Sequence, residues 1–276
     1  MTGGQEKNAM KVAQSGIRLA GTLAVLMMAP VLPNLPAIFA SQAGPESAAQ
    51  YDEKIQSDLV SALNKSRFSN VRVSVTNGVI DLKGSVELFA DKEDANKKAL
   101  HEEKVVAVRN DIRIVGAKIS DKDLEAKLVE KLKYDRVGYG TTTFNAITVK
   151  VRSGAVTLGG NAYSSGDKLS ALSVASYTPG VQDVIDDIEV APLSPIDDRI
   201  RLYVARAVYG DPSLNKYAID PGSPIRICVR DGNVILSGVV ETDADKNLAG
   251  VRAVSVAGVS KVVNKIQVEG DGLGQK

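Results

Sequence analysis

The heptapeptide Gly-x-[Ile/Val]-x-Leu-x-Gly occurs three times in this chain, at Gly78–Gly84, Gly154–Gly160 and Gly232–Gly238. The match extends well beyond seven residues. Seven positions after the second glycine stands Asp-Lys each time: Asp91-Lys92, Asp167-Lys168 and Asp245-Lys246. Alanine recurs at Ala95 and Ala99, at Ala171 and Ala175, and at Ala249 and Ala253; valine recurs at Val105, Val181 and Val259. No gap is needed to align these positions, so one structural unit is written three times, and any fold must be built from three copies.

Hydrophobic periodicity gives the content of each copy. Apolar stripes at i, i+4 and i+8 mark a first helix: Ile55/Leu59/Leu63, Leu124/Leu128/Leu132 and Ile200/Val204/Val208. Ser120 with Asp123, and Ser194 with Pro195 and Asp197, read as N-terminal caps in copies two and three. An alternating strand follows, with Val71/Val73/Val75, Ile147/Val149/Val151 and Ile225/Ile227/Val229 on one face. Asn77-Gly78 and Asp231-Gly232 signal a tight hairpin, because such turns require positive φ. The first glycine of the motif is therefore a turn residue, and the second is expected to mark the exit of the next strand. The paired alanines place a small-residue face on a second helix, and a last strand carries Ile112, Ile188 and Ile266.

The order is α-β-β-α-β. The expected fold class is α+β: three tandem domains, each a three-stranded mixed sheet covered on one face by two helices. Their expected limits are 51–117, 120–192 and 196–270, with a frayed tail at 271–276. The linkers Gly116-Ala117-Lys118-Ile119 and Ala191-Pro192-Leu193-Ser194-Pro195 leave almost no slack, so neighbouring domains are expected to pack in a fixed relation.

Residues 1–43 differ from the rest. Lys7, Lys11 and Arg18 precede an uncharged run whose core, Leu19–Ala29, has the length of a signal-peptide h-region. That is short of the roughly 20 residues of a membrane-spanning helix. Cleavage is expected before Gly44 or after Ala40. The chain is read as exported, to the periplasm first of all, with secretion or an uncleaved anchor as alternatives.

Gly180-Val181-x-x-Val184-x-Asp186 and Gly258-Val259-x-x-Val262-x-Asn264, taken with the heptapeptides, resemble the BON domain, a module of exported bacterial proteins. The resemblance covers almost everything after residue 50. It departs in copy one, where Lys104 stands in place of the glycine before Val105; the second helix there is expected to run longer or to end without a glycine. The resemblance implies an envelope location and binding rather than catalysis. Attachment to phospholipid surfaces is one implied role, and stress, chaperone-like or adaptor roles with envelope protein partners are others.

The residues themselves favour little chemistry. A net charge of +1 supplies no field for nucleic acid. The glycines enter a strand rather than a helix, so they form no phosphate loop. His101 is the one histidine and Cys228 the one cysteine, so neither a His/Cys zinc cluster nor an intrachain disulfide can form. Cys228, between Ile227 and Val229, reads as a buried structural thiol. Asp243 with Asp245 falls short of a calcium loop. No catalytic, cofactor or metal residues are assigned. The loop between the first helix and first strand differs among the copies, and loops carry function more often than cores do. In copy two it brings together Lys131, Lys133, Tyr134, Arg136 and Tyr139, cations and tyrosines suited to a lipid headgroup surface.

Overall fold

The computed structural model describes residues 45–222 and 224–270. The signal-peptide segment, its cleavage point and the tail at 271–276 lie outside them. Repeat one consists of α1 (Pro45–Ala62), β1 (Val71–Thr76), β2 (Val79–Val86), α2 (Phe89–Leu100) and β3 (Ala107–Ile114). Repeat two consists of α3 (Asp121–Lys133), β4 (Ala146–Arg152), β5 (Ala155–Ala162), α4 (Ser165–Ser176) and β6 (Asp183–Val190). Repeat three consists of α5 (Pro195–Tyr209), a short α6 (Lys216–Ile219), β7 (Ile225–Arg230), β8 (Asn233–Val240), α7 (Asp243–Val254) and β9 (Lys261–Val268). Each repeat owns one three-stranded sheet. Its middle strand is antiparallel to the first and parallel to the third, so the fold is the αββαβ α+β unit that the repeat pattern implies.

Alternation along the strands decides what is buried. In repeat one, Ile80, Leu82 and Ile112 meet Ile55 and Leu59 of α1 and Ala95 and Ala99 of α2. The alanines carry no bulk beyond Cβ, so the second helix lies close on the sheet. The same positions build the cores of repeats two and three. Ser120 and Ser194 cap their helices, accepting hydrogen bonds from the backbone N–H groups of Asp123 and Asp197.

The hairpin residues have positive φ at both central positions: 51° and 73° at Asn77-Gly78, 51° and 77° at Ser153-Gly154, 51° and 74° at Asp231-Gly232. A carboxylate from the first helix clamps each turn. Asp52 accepts from the N–H groups of Asn77 and Gly78, Asp121 from Ser153 and Gly154, and Asp197 from Asp231 and Gly232.

One expectation needs correction, and one alternative is resolved. The second glycine of the motif does not mark a strand exit; Gly84, Gly160 and Gly238 lie inside the middle strand, opposite Val71, Ile147 and Ile225. A Cβ at these sites would sit 1.9, 2.1 and 1.8 Å from the carbonyl oxygens of Asn70, Ala146 and Pro224, so glycine is required by close backbone approach. Of the two forms expected for the second helix of repeat one, a longer run or an end without a glycine, the second holds: α2, α4 and α7 have 12 residues each. Instead Lys104 adopts the left-handed conformation itself, with φ 62°, and its Nζ lies 3.2 Å from the centre of the Tyr51 ring. That cation–π contact offsets part of the backbone cost.

Candidate functional site

The connector between α3 and β4 carries the residues that sequence singled out. Arg136 takes a left-handed conformation, φ 64°, which turns the chain back toward α4. Its Nε donates to Oδ1 of Asp167 at 2.9 Å, and its guanidinium lies 4.0 Å from the centre of the Tyr139 ring. The Asp167 side chain is 1% exposed. Burial pushes its carboxyl up, but hydrogen bonds from Ser164, Thr141, Arg136 and Asn145 outweigh this and hold it below the ordinary carboxylate range.

The same arrangement recurs with other residues. In repeat one Asp91 faces Arg67 Nε at 3.4 Å; in repeat three Asp245 pairs with Lys216 at 3.0 Å and accepts from the Tyr217 hydroxyl at 2.8 Å. A cation from the helix–strand connector thus neutralises a buried aspartate in the first turn of the second helix, three times. The Asp-Lys recurrence is visible in the sequence, but this role is not. The signal available was a cation in each preceding connector.

The five candidate residues are divided. Lys131, Tyr134 and Arg136 line a shallow groove of about 730 Å³ between α3 and α4, together with Leu169, Ser170 and Tyr177. Lys131 donates to the Thr178 hydroxyl at 3.0 Å. Tyr139, stacked on Arg136, is 72% exposed. Lys133 turns the other way and pairs with Asp220 of repeat three at 3.0 Å. Leu169 and Tyr177, outside the predicted set, are 65% and 56% exposed beside the groove.

Lys133 belongs to a junction between repeats two and three. Arg226 on β7 donates to the backbone carbonyls of Thr142 and of Lys133, the latter at 3.2 Å. Arg230 pairs with Glu189 at 3.0 Å. Cys228 lies on the same face of β7, half-buried against Phe144 of repeat two rather than in the core with Ile227 and Val229. Burial pushes its thiol up to about 11, which disfavours the nucleophilic thiolate. Above this junction a cleft of about 710 Å³ is lined by Val129, Leu132, Ile147, Val149, Arg226 and Val239.

Among the described residues, no group of three or more His, Cys, Asp or Glu side chains is gathered to hold a metal ion. His101 ends α2, with Nδ1 2.7 Å from the Lys97 carbonyl. Among the described residues no helix is long and apolar enough to cross a membrane.

A profile described as BON domain matches residues 51–116, 120–192 and 211–270. No curated protein matches the chain. Among solved structures, it is similar to the C-terminal domain of CdsD, the structural protein of the type III secretion system of Chlamydia trachomatis. The identity is 15%, over 77% of this chain and 96% of that one, with a TM-score of 0.23. A second CdsD structure from the same organism gives 16% identity, coverage of 78% and 92%, and a TM-score of 0.22. At these scores neither likeness bears on function. BON domains occur in exported bacterial envelope proteins, are associated with phospholipid binding and are generally non-catalytic. With matches over three stretches that together span most of its length, the chain belongs to the BON domain family and carries three copies in tandem.

Proposed function

We propose that this is an exported, non-catalytic envelope protein that binds anionic phospholipid surfaces through the α3–α4 face of its second repeat. The observation that carries the reading is the exposure of Leu169 and Tyr177 beside Lys131 on one groove, with Tyr134 and Tyr139 close by. Tyrosine suits the headgroup level and leucine the acyl boundary. Burying one leucine contributes about 2 kcal/mol and one cation near an anionic surface about 1 kcal/mol. Arg136 and Lys133 are already paired with Asp167 and Asp220, so the apolar contribution outweighs the charge. Binding is accordingly weak and reversible, and only partly sensitive to salt.

Flotation of the purified protein with anionic and with neutral liposomes, at low and high salt, tests this. Co-flotation with anionic vesicles is expected, with clear loss in a Leu169→Asp/Tyr177→Asp variant and a smaller loss in Lys131→Glu. Undiminished flotation of the double variant removes this face from the reading. Lys133→Ala is expected to float like the parent, since that side chain faces repeat three. The cleft between repeats two and three, where Val129, Leu132, Ile147, Val149 and Val239 stand among charged and polar side chains, favours a second reading, an envelope protein that holds a protein client or partner. Absence of flotation under every condition, together with suppressed aggregation of an unfolded client, supports that one.

A further inference from the structure

The open face of the first sheet carries three cations at positions where repeat two has none and repeat three has one. Arg72 on β1 lies directly opposite Lys83 on β2 in the antiparallel pairing. Arg113 on β3 lies opposite Ser85, one step along the same face. All three side chains are exposed, and among the described residues none has an ion-pair or hydrogen-bond partner. Asp111, opposite Lys83 in the parallel pairing, makes no ion pair with it. Like charges directly opposed across a strand pair destabilise a sheet. The fold does not require them: the same three positions hold Thr148, Gly159 and Glu189 in repeat two, and Arg226, Ser237 and Gln267 in repeat three.

Repeat three shows what an arginine at the β1 position does. Arg226 reaches beyond its sheet and donates to two oxygen atoms, the Thr142 and Lys133 carbonyls. Arg72 occupies the equivalent place with no such oxygens before it. The surrounding surface forms a groove of about 630 Å³, lined by Ser69, Asn70, Arg72, Ser74, Lys83 and Arg113. Two guanidinium groups, an ammonium and neutral hydroxyl and amide donors converge there without a carboxylate among them. That donor set matches a tetrahedral oxyanion with several acceptor oxygens.

We infer that the open face of the first sheet is an anion site for a phosphate group, held by Arg72, Lys83 and Arg113. The phosphate can belong to a soluble phosphoester or to a lipid headgroup, and the site is separate from the α3–α4 face of repeat two. The test follows backbone amide shifts of the full chain while inorganic phosphate is added at constant ionic strength, with chloride as the control anion. Saturable shifts are expected at Ser69–Ser74, Lys83–Ser85 and Arg113. The variant Arg72→Thr/Lys83→Ser/Arg113→Gln carries residue types that the equivalent positions hold in the other repeats, and it also relieves like-charge opposition, so it retains the fold. Its phosphate affinity is expected to fall by at least about tenfold, the worth of one charge-assisted hydrogen bond.

A second arm uses phosphatidylglycerol vesicles and the Leu169→Asp/Tyr177→Asp chain. Residual flotation that the three added substitutions abolish identifies a headgroup as the source; a phosphate response without it identifies a soluble ligand. Equal phosphate responses in parent and triple variant, or no response of these amides to phosphate or to vesicles, overturn the site. The phosphate arm contains no membrane, so its outcome is independent of the lipid-surface reading.

Discussion

The two junctions between repeats share an aromatic contact and differ in polar ones. At the first, Phe89 of repeat one leans on the apolar core of repeat two. At the second, Phe144 of repeat two leans in the same way on the core of repeat three, and in addition Arg226 grips two backbone carbonyls, Lys133 pairs with Asp220, and Arg230 pairs with Glu189. The contrast follows from the connector between first helix and first strand. From Leu63 to Asn70 it is compact; from Tyr134 to Asn145, and from Gly210 to Pro224, it is longer and supplies both carbonyls and side chains to the second junction. Part of what looks like a functional loop in sequence is adhesive between repeats.

The strongest way to break this comparison is to damage one repeat and ask which others follow. Gly84→Ala and Gly160→Ala each drive a Cβ into a carbonyl oxygen, at 1.9 and 2.1 Å, and each is expected to cost about 3 kcal/mol or more. Site-resolved hydrogen exchange is expected to show Gly84→Ala weakening repeat one alone. Gly160→Ala is expected to weaken repeats two and three together, because repeat three loses the surface that Arg226 holds. Independent behaviour of all three repeats would dissolve the distinction between the junctions.

Next in size is a pair of substitutions at one strand position. Arg226→Ala leaves the Lys133 carbonyl without its donor and the Thr142 carbonyl with the Asn145 N–H alone, and is expected to cost about 1–3 kcal/mol in denaturant unfolding. Arg72→Ala removes a cation opposed to Lys83 and is expected to change stability by less than about 0.5 kcal/mol, in the stabilising direction.

The smallest effect sharpens the comparison inside the repeats. Burial pushes the Asp91 carboxyl up, and Arg67 only partly opposes it. Asp167 and Asp245 are held low, because hydrogen bonds from their partners outweigh burial. Stability from Asp167 and Asp245 is therefore complete above the ordinary carboxylate value near about 4, and is lost as pH falls through their lowered folded values. Asp91 has the opposite sign: its charged form opposes folding, and acidification through its raised folded value relieves that. An acid titration followed by hydrogen exchange is expected to strengthen repeat one on approaching that pH, while repeats two and three hold and then weaken below it. Asp167→Asn is expected to cost about 1–2 kcal/mol at neutral pH and Asp91→Asn almost nothing.

How far sequence reached can be judged from particular residues. The hairpins, both helix faces and the serine caps were legible because they depend on neighbours close in the chain. The turn clamps were not. Asp52, Asp121 and Asp197 stand 26, 33 and 35 residues before their turn glycines, a spacing that varies with connector length, so an ungapped repeat alignment hides them. The cations that neutralise Asp91, Asp167 and Asp245 come from non-equivalent positions for the same reason. Grouping Lys133 with Lys131 and Arg136 was reasonable from proximity in sequence. That α3 ends with Lys131 facing α4 and Lys133 facing repeat three depends on helical phase against two different neighbours. Lys104 was recognised as a departure, but sequence gave no sign that a lysine would adopt the glycine's backbone conformation with Tyr51 beneath it.

Every strand pairing closes inside its own repeat. The chain is made from its N-terminus, and the last strand of repeat one ends at Ile114, before the first residue of α3 has been added. No β-strand has to wait for a partner from a later repeat, which keeps the contact order of the whole chain near that of a single small domain. Repeat one can finish folding while the rest is still being synthesised. Repeat two cannot close its polar junction until Arg226 and Arg230 arrive, so during that interval the Thr142 carbonyl keeps only the Asn145 N–H of its own repeat and the Lys133 carbonyl is left to water.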